Sequence, residues 1–336
     1  MVNKNLTEYY GSLSHLDNES WELYRSLELA KELTAGETLA KLGDEHPEIV
    51  ALCADLGKPT RLIDFGNKYP DRFFNFGLAE KNMVTAAAGL ATTGKIPFVA
   101  TYASFLGLLC AEQIRTAVAY PNLKVRLIGT HTGIAMGYYG SSHHATEDIS
   151  IVRSMANMTV ISPCDGTSLA DLIEESVKTY DGPIYFRVSR GREDSVYKNR
   201  NIKSKIGRAN VLRDGNDIAI IACGVTVQWA LEAAEILAAE GIQAKIIDMH
   251  TIKPIDVDCI LQTAKEVGNI VTVEEHNIMG GLGSAVAEIL MENGAHCKFK
   301  RHGLNDEYSI IGKPYYLYGY YKLDGKGIAE VAKKQL

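Results

Sequence analysis

Three histidines and their surroundings give the first chemical indication. His131 closes the apolar run Lys124–Thr130, and His143 and His144 follow in the Gly/Ser-rich segment Met136-Gly-Tyr-Tyr-Gly-Ser-Ser-His-His. Imidazole changes charge near neutral pH and can exchange a proton or a hydrogen bond with a reacting hydroxyl. As single residues such histidines also serve as loop caps. Glu80 stands before an Ala-rich stretch in Phe76-Gly-Leu-Ala-Glu-Lys-Asn-Met, where a carboxylate either complements a helix dipole or takes part in proton transfer. Arg190 belongs to Phe186-Arg-Val-Ser-Arg-Gly-Arg; its fork suits phosphate, and its charge equally suits a solvated linker. Gly280-Gly281-Leu282-Gly283-Ser284 falls short of a dinucleotide fingerprint, because Val286 occupies the last glycine position; close strand–helix packing accounts for it as well.

Such groups need a frame, and the hydrophobic pattern describes one. The sequence predicts apolar strands at Ile49–Leu56, Phe73–Phe76, Ile96–Tyr102, Val125–Thr130, Thr159–Ser162 and Ile184–Val188. Helical spacing predicts Glu80–Thr93, Phe105–Ala119, Thr146–Met155 and Gly166–Thr179 between them. The pattern restarts with strands at Ile218–Cys223, Ala244–Met249 and Ile270–Val273, and helices at Thr226–Glu240, Asp256–Val267 and Gly283–Asn293. The fold class expected is therefore α/β, with two parallel or mostly parallel sheet domains. The predicted divisions are a helical segment at 1–45 (Trp21–Leu42 has helical spacing), a domain at 46–190, a polar linker with little to bury at 191–207, and a smaller domain at 208–336. His131 and Arg190 fall just past predicted strand ends, where α/β proteins bind ligands.

The chain has 336 residues, enough for two domains, and its 46% hydrophobic and 23% charged content is that of a folded protein. A formal charge of −6 (35 Lys+Arg against 41 Asp+Glu), with no basic block, disfavours nucleic acid as a partner. No apolar run reaches the roughly 18 residues of a membrane span, and the first residues lack a signal core, so a cytoplasmic location is expected. The six cysteines are scattered without a Cys-x-x-Cys, which suits reduced structural thiols and supports no zinc site.

Taken together, the segments resemble the transketolase family over roughly residues 25–336. Arg72-Phe-Phe-Asn-Phe-Gly-Leu-Ala-Glu80 is similar to the segment carrying that family's cofactor-activating glutamate, and Thr101-Tyr-Ala-Ser-Phe105 to its aromatic segment. Thr130-His131, Gly140-Ser-Ser-His143, Ile161-Ser-Pro-Cys-Asp165 and Ser189-Arg190 follow in the family's order. His250-Thr-Ile-Lys-Pro-Ile-Asp256 and Val273-Glu-Glu-His276 extend the likeness into the second domain. The family's diphosphate motif, Gly-Asp-Gly followed by Asn, is missing: Gly43-Asp44 runs on to Glu45. The chain thus resembles the pyrimidine-binding and C-terminal domains of a split transketolase, the smaller of two subunits.

That resemblance implies thiamine diphosphate as cofactor, with Mg2+ or Ca2+ held by a partner N-terminal subunit and no metal site in this chain. It also implies α2β2 assembly, sugar phosphates as substrates, a role in pentose phosphate and other carbohydrate metabolism, and ketol transfer to an aldose or related acceptor. Glu80 would hydrogen-bond the cofactor's pyrimidine, Phe105 would stack on it, and Tyr102 and Asp55 would lie close by. His131 would contact the substrate's first hydroxyls, while His143 and Arg190 would bind its distal phosphate. The family's Gly-Glu-Asp-Gly-x-x-His becomes Gly137-Tyr138-Tyr139-Gly140-Ser-Ser-His143 here, which points to an unusual sugar at Tyr139. Competing identities are the β subunit of a 2-oxoacid dehydrogenase, a 1-deoxyxylulose-5-phosphate synthase, and an inactive regulatory or scaffolding relative. Retention of Glu80 and of the His131, His143 and Arg190 set weighs against them.

Overall fold

Unbroken apolar runs such as Ile49–Cys53 and Ile218–Ala222 have no polar face to turn to water, so each must be covered on both sides. The computed structural model, which describes residues 35–190, 195–197 and 200–336, does this with two mainly parallel sheets flanked by helices. The first half runs α1 (Ala35–Leu42), β1 (Ile49–Cys53), α2 (Ile63–Lys68), β2 (Phe73–Asn75), α3 (Glu80–Thr92) and β3 (Ile96–Tyr102). It continues through β4 (Arg126–Thr130), α4 (Asp148–Arg153), β5 (Thr159–Ile161), α5 (Gly166–Lys178) and β6 (Ile184–Val188). The second half comprises β7 (Asn210–Arg213), β8 (Ile218–Ala222), α6 (Thr226–Ala239), β9 (Ala244–Asp248), β10 (Thr251–Lys253), α7 (Val257–Glu266), β11 (Asn269–Asn277), α8 (Leu282–Glu292), β12 (Lys298–Leu304), α9 (Pro314–Tyr320) and α10 (Gly325–Gln335).

The first sheet has the order β10-β5-β6-β4-β3-β1-β2 and the second β12-β11-β8-β9-β7. Among the described residues, the β10–β5 and β7–β9 pairs are the antiparallel ones within the two sheets. The expected α/β class with two mostly parallel sheets is the one observed. Three strands escape the hydrophobic pattern: β7, the three-residue β10, and β12, whose outer residues alternate charged and apolar because it is an edge. Strand β11 runs on through Glu274, Glu275 and His276, since all three are buried with partners.

The predicted helix at Phe105–Ala119 carries wider π turns at Phe105–Leu109 and Ile114–Ala119 around Ala111–Gln113, an irregularity that a period of 3.6 does not anticipate. Of the helix expected at Trp21–Leu42, α1 is seen, and the part before residue 35 lies outside the described residues. The polar stretch expected to bury little departs from that reading. Val196 and Tyr197 are buried there, their N–H groups donating to Asp165 Oδ2 at 2.8 and 2.7 Å, and the Tyr197 hydroxyl donates to Asp248 at 2.8 Å. All six cysteines are free thiols. Among the described residues no helix is long and apolar enough to cross a membrane.

Candidate active site

The carboxyl ends of β6, β4, β3, β1 and β2 lie side by side in that order, and each hands a candidate side chain to the same edge. Thr130 pairs with Tyr102 on one side and Val188 on the other, so His131 begins the loop between the β3 and β6 ends. His131 is buried and has a left-handed backbone, φ 59°; Asp55, two residues past β1, has φ 58°. That region is disfavoured for residues with a Cβ and persists only where the surroundings fix it. At Asp55 the fixing contact is visible: its N–H donates to Asn75 Oδ1 at 2.9 Å, tying the end of β1 to the end of β2.

Five rings gather over this edge. The Tyr102 ring lies 5.0 Å from His131, 5.8 Å from Phe105 and 6.1 Å from His143, between centroids. Phe105 is 5.3 Å and Tyr139 5.2 Å from His143. Tyr102 is buried, Phe105 and His143 are half-buried, and Tyr139 keeps 40% exposure, so the patch is partly open to solvent. Burial pulls the His143 imidazole below its ordinary pKa, so it is neutral at neutral pH. Its Nδ1 is 2.9 Å from Ser142 Oγ.

Glu80 opens α3 half-exposed, after the exposed Leu78. No hydrogen bond or ion pair to its carboxylate is found among the described residues. Its charge reaches Cys110 on the neighbouring helix, a thiol pushed up to about 12 by burial first and by Glu80 second. Arg190 is buried where the chain leaves β6 and donates to the Ala135 carbonyl at 3.3 Å, which joins it to the loop that follows His131.

Other candidates turn inward. His144 is buried, hydrogen-bonded through Nδ1 to Ser309 Oγ, and donates from Nε2 to the Gly137 carbonyl at 3.2 Å; it braces the loop from behind. Arg187 is locked against Asp148 at 3.1 Å, both almost without exposure, and donates to the carbonyls of Ala145 and Glu275 at 3.1 and 2.8 Å. Arg192 lies outside the described residues. The Gly280–Ser284 segment takes the packing role: a Cβ at Gly281 would lie 1.9 Å from Glu274 Oε2, and that carboxylate accepts from the N–H groups of Leu282 and Gly283 at 2.7 and 2.9 Å. The Asp148–Arg187 frame was not singled out from sequence. A charged residue inside the apolar run Ile-Tyr-Phe-Arg-Val was its signal, since a buried charge requires a partner.

A flat aromatic surface beside a half-exposed carboxylate suits a nitrogen heteroaromatic ring, which needs stacking and one hydrogen-bond acceptor. Among the described residues no group of His, Cys, Asp or Glu side chains is placed to hold a metal ion.

Two family models cover most of the chain: the transketolase pyrimidine-binding domain matches residues 29–193, and the transketolase C-terminal domain matches residues 207–328. A putative transketolase C-terminal section from Methanocaldococcus jannaschii is 45% identical over 88% of this chain and 92% of its own length. An apulose-4-phosphate transketolase subunit from Phocaeicola vulgatus is 38% identical over 88% of this chain and 94% of its own. Among solved structures, a split-gene transketolase in an inactive β4 tetramer superposes with a TM-score of 0.81 at 40% identity, covering 90% of this chain and 96% of that one.

Proposed function

The chain belongs to the transketolase family, and on that premise we propose that it is the smaller subunit of a split transketolase. It transfers a two-carbon ketol unit from a ketose phosphate to an aldehyde acceptor. The observation that carries this reading is the convergence of Glu80, Asp55, Tyr102, Phe105, His131, His143 and Arg190 on one edge of the first sheet, from the ends of adjacent strands. Thiamine diphosphate, when bound, supplies the carbon nucleophile that breaks and remakes the ketose C2–C3 bond.

This chain's residues bind and orient. Phe105, with Tyr102 beneath it, offers the stacking face for the pyrimidine, and Asp55 sits at its margin. Glu80 shares a proton with a pyrimidine nitrogen, a task suited to a carboxylate that has no competing hydrogen bond or ion pair among the described residues. His131, held by its neighbours in an unfavourable backbone, directs hydrogen bonds to the substrate's first hydroxyls. His143 stays neutral and can donate or accept, while Arg190 supplies the fixed positive charge for the distal phosphate. Tyr139 stands where the family's motif has an acid, which favours a sugar other than the common pentose and heptose phosphates. The apulose 4-phosphate named for the Phocaeicola relative supports a branched substrate class.

The partner is a chain carrying the diphosphate and metal motif, and two copies of each subunit around a two-fold axis form the enzyme. The relative that assembles with itself into an inactive tetramer supports that dependence. The test is to assay ketol transfer and thiamine diphosphate binding by the purified chain, by the partner and by their mixture. Turnover is expected only in the mixture. Steady turnover by this chain alone would overturn the proposal.

A further inference from the structure

Between His131 and α4 the chain makes an excursion whose neck is closed by Gly133 and Ala145, each N–H donating to the other's carbonyl at 2.9 Å. Tyr139 and His143 sit on this loop. Its own turns are short: the His143 and His144 N–H groups both donate to the Gly140 carbonyl, at 2.9 and 3.1 Å. Further support comes from the second half of the chain, through the irregular segment between β12 and α9.

Most of that segment faces water, with Tyr308 81% and Ile311 64% exposed. Within residues 305–312 the buried ones are Ser309 and Gly312, and both meet the loop. The Gly312 carbonyl lies 2.7 Å from where a Cβ on Gly137 would stand, and the Ile311 side chain lies 3.0 Å from the same point on Gly140. Ser309 engages the loop twice. Its carbonyl accepts from Ser141 Oγ at 3.0 Å, and its hydroxyl is hydrogen-bonded to His144 Nδ1.

The direction of that second bond follows from the far side of the ring. His144 Nε2 faces the Gly137 carbonyl, which can only accept, so Nε2 carries the ring proton. Burial lowers the pKa of this imidazole, so the ring is neutral, Nδ1 is bare and the Ser309 hydroxyl donates to it. The segment is itself anchored by the Ile310 N–H, which donates to the Tyr321 hydroxyl at 2.8 Å just beyond α9. A connected path therefore runs from the second half of the chain to the neighbour of His143.

We propose that Ser309 is a positioning residue: through His144 it sets the placement of Tyr139 and His143 over the carboxyl edge of the first sheet. The second half of the chain thereby contributes to substrate selectivity without touching the substrate. The proposal rests on Tyr139 and His143 contacting the sugar, as in the function proposed above. A contact that only docks the two halves would alter stability and leave selectivity where it was.

Ser309→Ala removes the donor to His144 and keeps the backbone contact. In the full chain alone, amide exchange over residues 137–144 is expected to quicken about tenfold in this variant, with circular dichroism unchanged. In the enzyme assembled with its partner, KM for a phosphorylated aldose acceptor should rise about tenfold with kcat held within about twofold. KM for glycolaldehyde, a short acceptor without a phosphate, should stay at the wild-type value. Because Ser309 acts through His144, adding Ser309→Ala to His144→Ala should cost nothing further. Unchanged exchange over 137–144, an equal rise in KM for both acceptors, or additive costs of the two substitutions overturns the proposal. The exchange measurement needs neither partner nor turnover. A mixture that transfers no ketol unit would therefore refute the proposed function, while exchange still decides whether Ser309 holds the loop.

Discussion

The molecule has two carboxyl-terminal sheet edges, both rich in acids and histidines, and only one of them is open. At the first sheet's edge Asp55 is exposed, and Glu80, Phe105 and His143 are half-buried. At the second sheet's edge Asp248, His250, Glu274 and His276 show no exposure, and Glu275 shows 1%. Much of their hydrogen-bonding capacity is spent on the fold, although Asp248 Oδ1 and His250 Nε2 find no hydrogen-bond partner among the described residues. Glu274 accepts from the start of α8, and Glu275 accepts from the Ile134 N–H at 2.8 Å and the Tyr318 hydroxyl. Adjacent strand residues point to opposite faces, so one glutamate serves its own domain and its neighbour serves the other half. Burial pulls the His250 and His276 imidazoles down to about 4 and pushes the Asp248 and Glu274 carboxyls up to about 7. Perturbed titration by itself therefore does not mark the chemical site; access to an unengaged group does.

Substitutions on the two edges should fail in different ways. Glu275→Ala leaves the Ile134 N–H and the Tyr318 hydroxyl without their acceptor, and at about 1–3 kcal/mol for each orphaned donor the loss of stability should reach ~3 kcal/mol or more. Urea denaturation of the full chain measures it; a loss below ~1 kcal/mol would show the second edge to be less structural than its burial implies. On the open edge, Glu80→Gln should cost less than ~1 kcal/mol of stability and lower the assembled enzyme's rate at least ~10²-fold, the scale of a lost proton-transfer group. Near-normal turnover in a folded Glu80→Gln complex removes Glu80 from the chemistry.

Asp248 gives a pH test of the closed edge. Its folded pKa lies above that of the unfolded chain, so the folded state binds the extra proton. The stability it contributes is complete below about pH 4 and is lost as the pH rises to about 7. Asp248→Asn abolishes that dependence, and the stability of the variant relative to wild type should climb by about 1 kcal/mol per pH unit across this window. Urea midpoints at pH 5, 6 and 7 measure it, and a constant difference would contradict the shift. The smallest effect is expected at Tyr139. Wild type should favour a 2-deoxy or branched acceptor over ribose 5-phosphate, and Tyr139→Asp should move the ratio of kcat/KM values toward ribose 5-phosphate by about tenfold. A wild-type preference for ribose 5-phosphate by orders of magnitude, unmoved by the substitution, would refute the assignment.

The same contrast explains what is legible in the sequence. Strands β1, β3, β4, β5 and β6 can be read within a few residues because buried runs leave a strong apolar signal, whereas β2 is half-buried to exposed and shows through its paired phenylalanines. Strand β10 has three residues, and β12 carries Lys298, Lys300 and Arg301, so pairing with a neighbour makes them strands more than their own composition does. The candidate residues can be recognised by type from local motifs. Their meeting depends on the order β6-β4-β3-β1-β2, which long-range pairing fixes and no local window contains. Nor does a motif say which way a side chain faces. His143 and His144 are adjacent, yet His143 joins the ring patch and His144 braces the loop from within; Arg187 and Arg190 are three apart, yet one locks onto Asp148 and the other donates to the loop carbonyl of Ala135.

Strand β10 belongs to the second half of the sequence and lies in the first sheet, where Thr251 pairs with Ile161 and Lys253 with Val160. Lys253 reinforces the seam by donating to the carbonyls of Arg153 and Met155 at 3.0 and 2.6 Å. A fragment cut between the halves would keep β5 and lose the strand that covers it, leaving a row of unpaired N–H and C=O groups on an apolar sheet. Such a row is a template on which another chain can add a strand. The two halves are therefore not separable modules in the sense that matters for expression or recombination. The first half produced alone should be driven toward intermolecular strand pairing, and solubility should return when the segment containing Thr251–Lys253 is supplied with it.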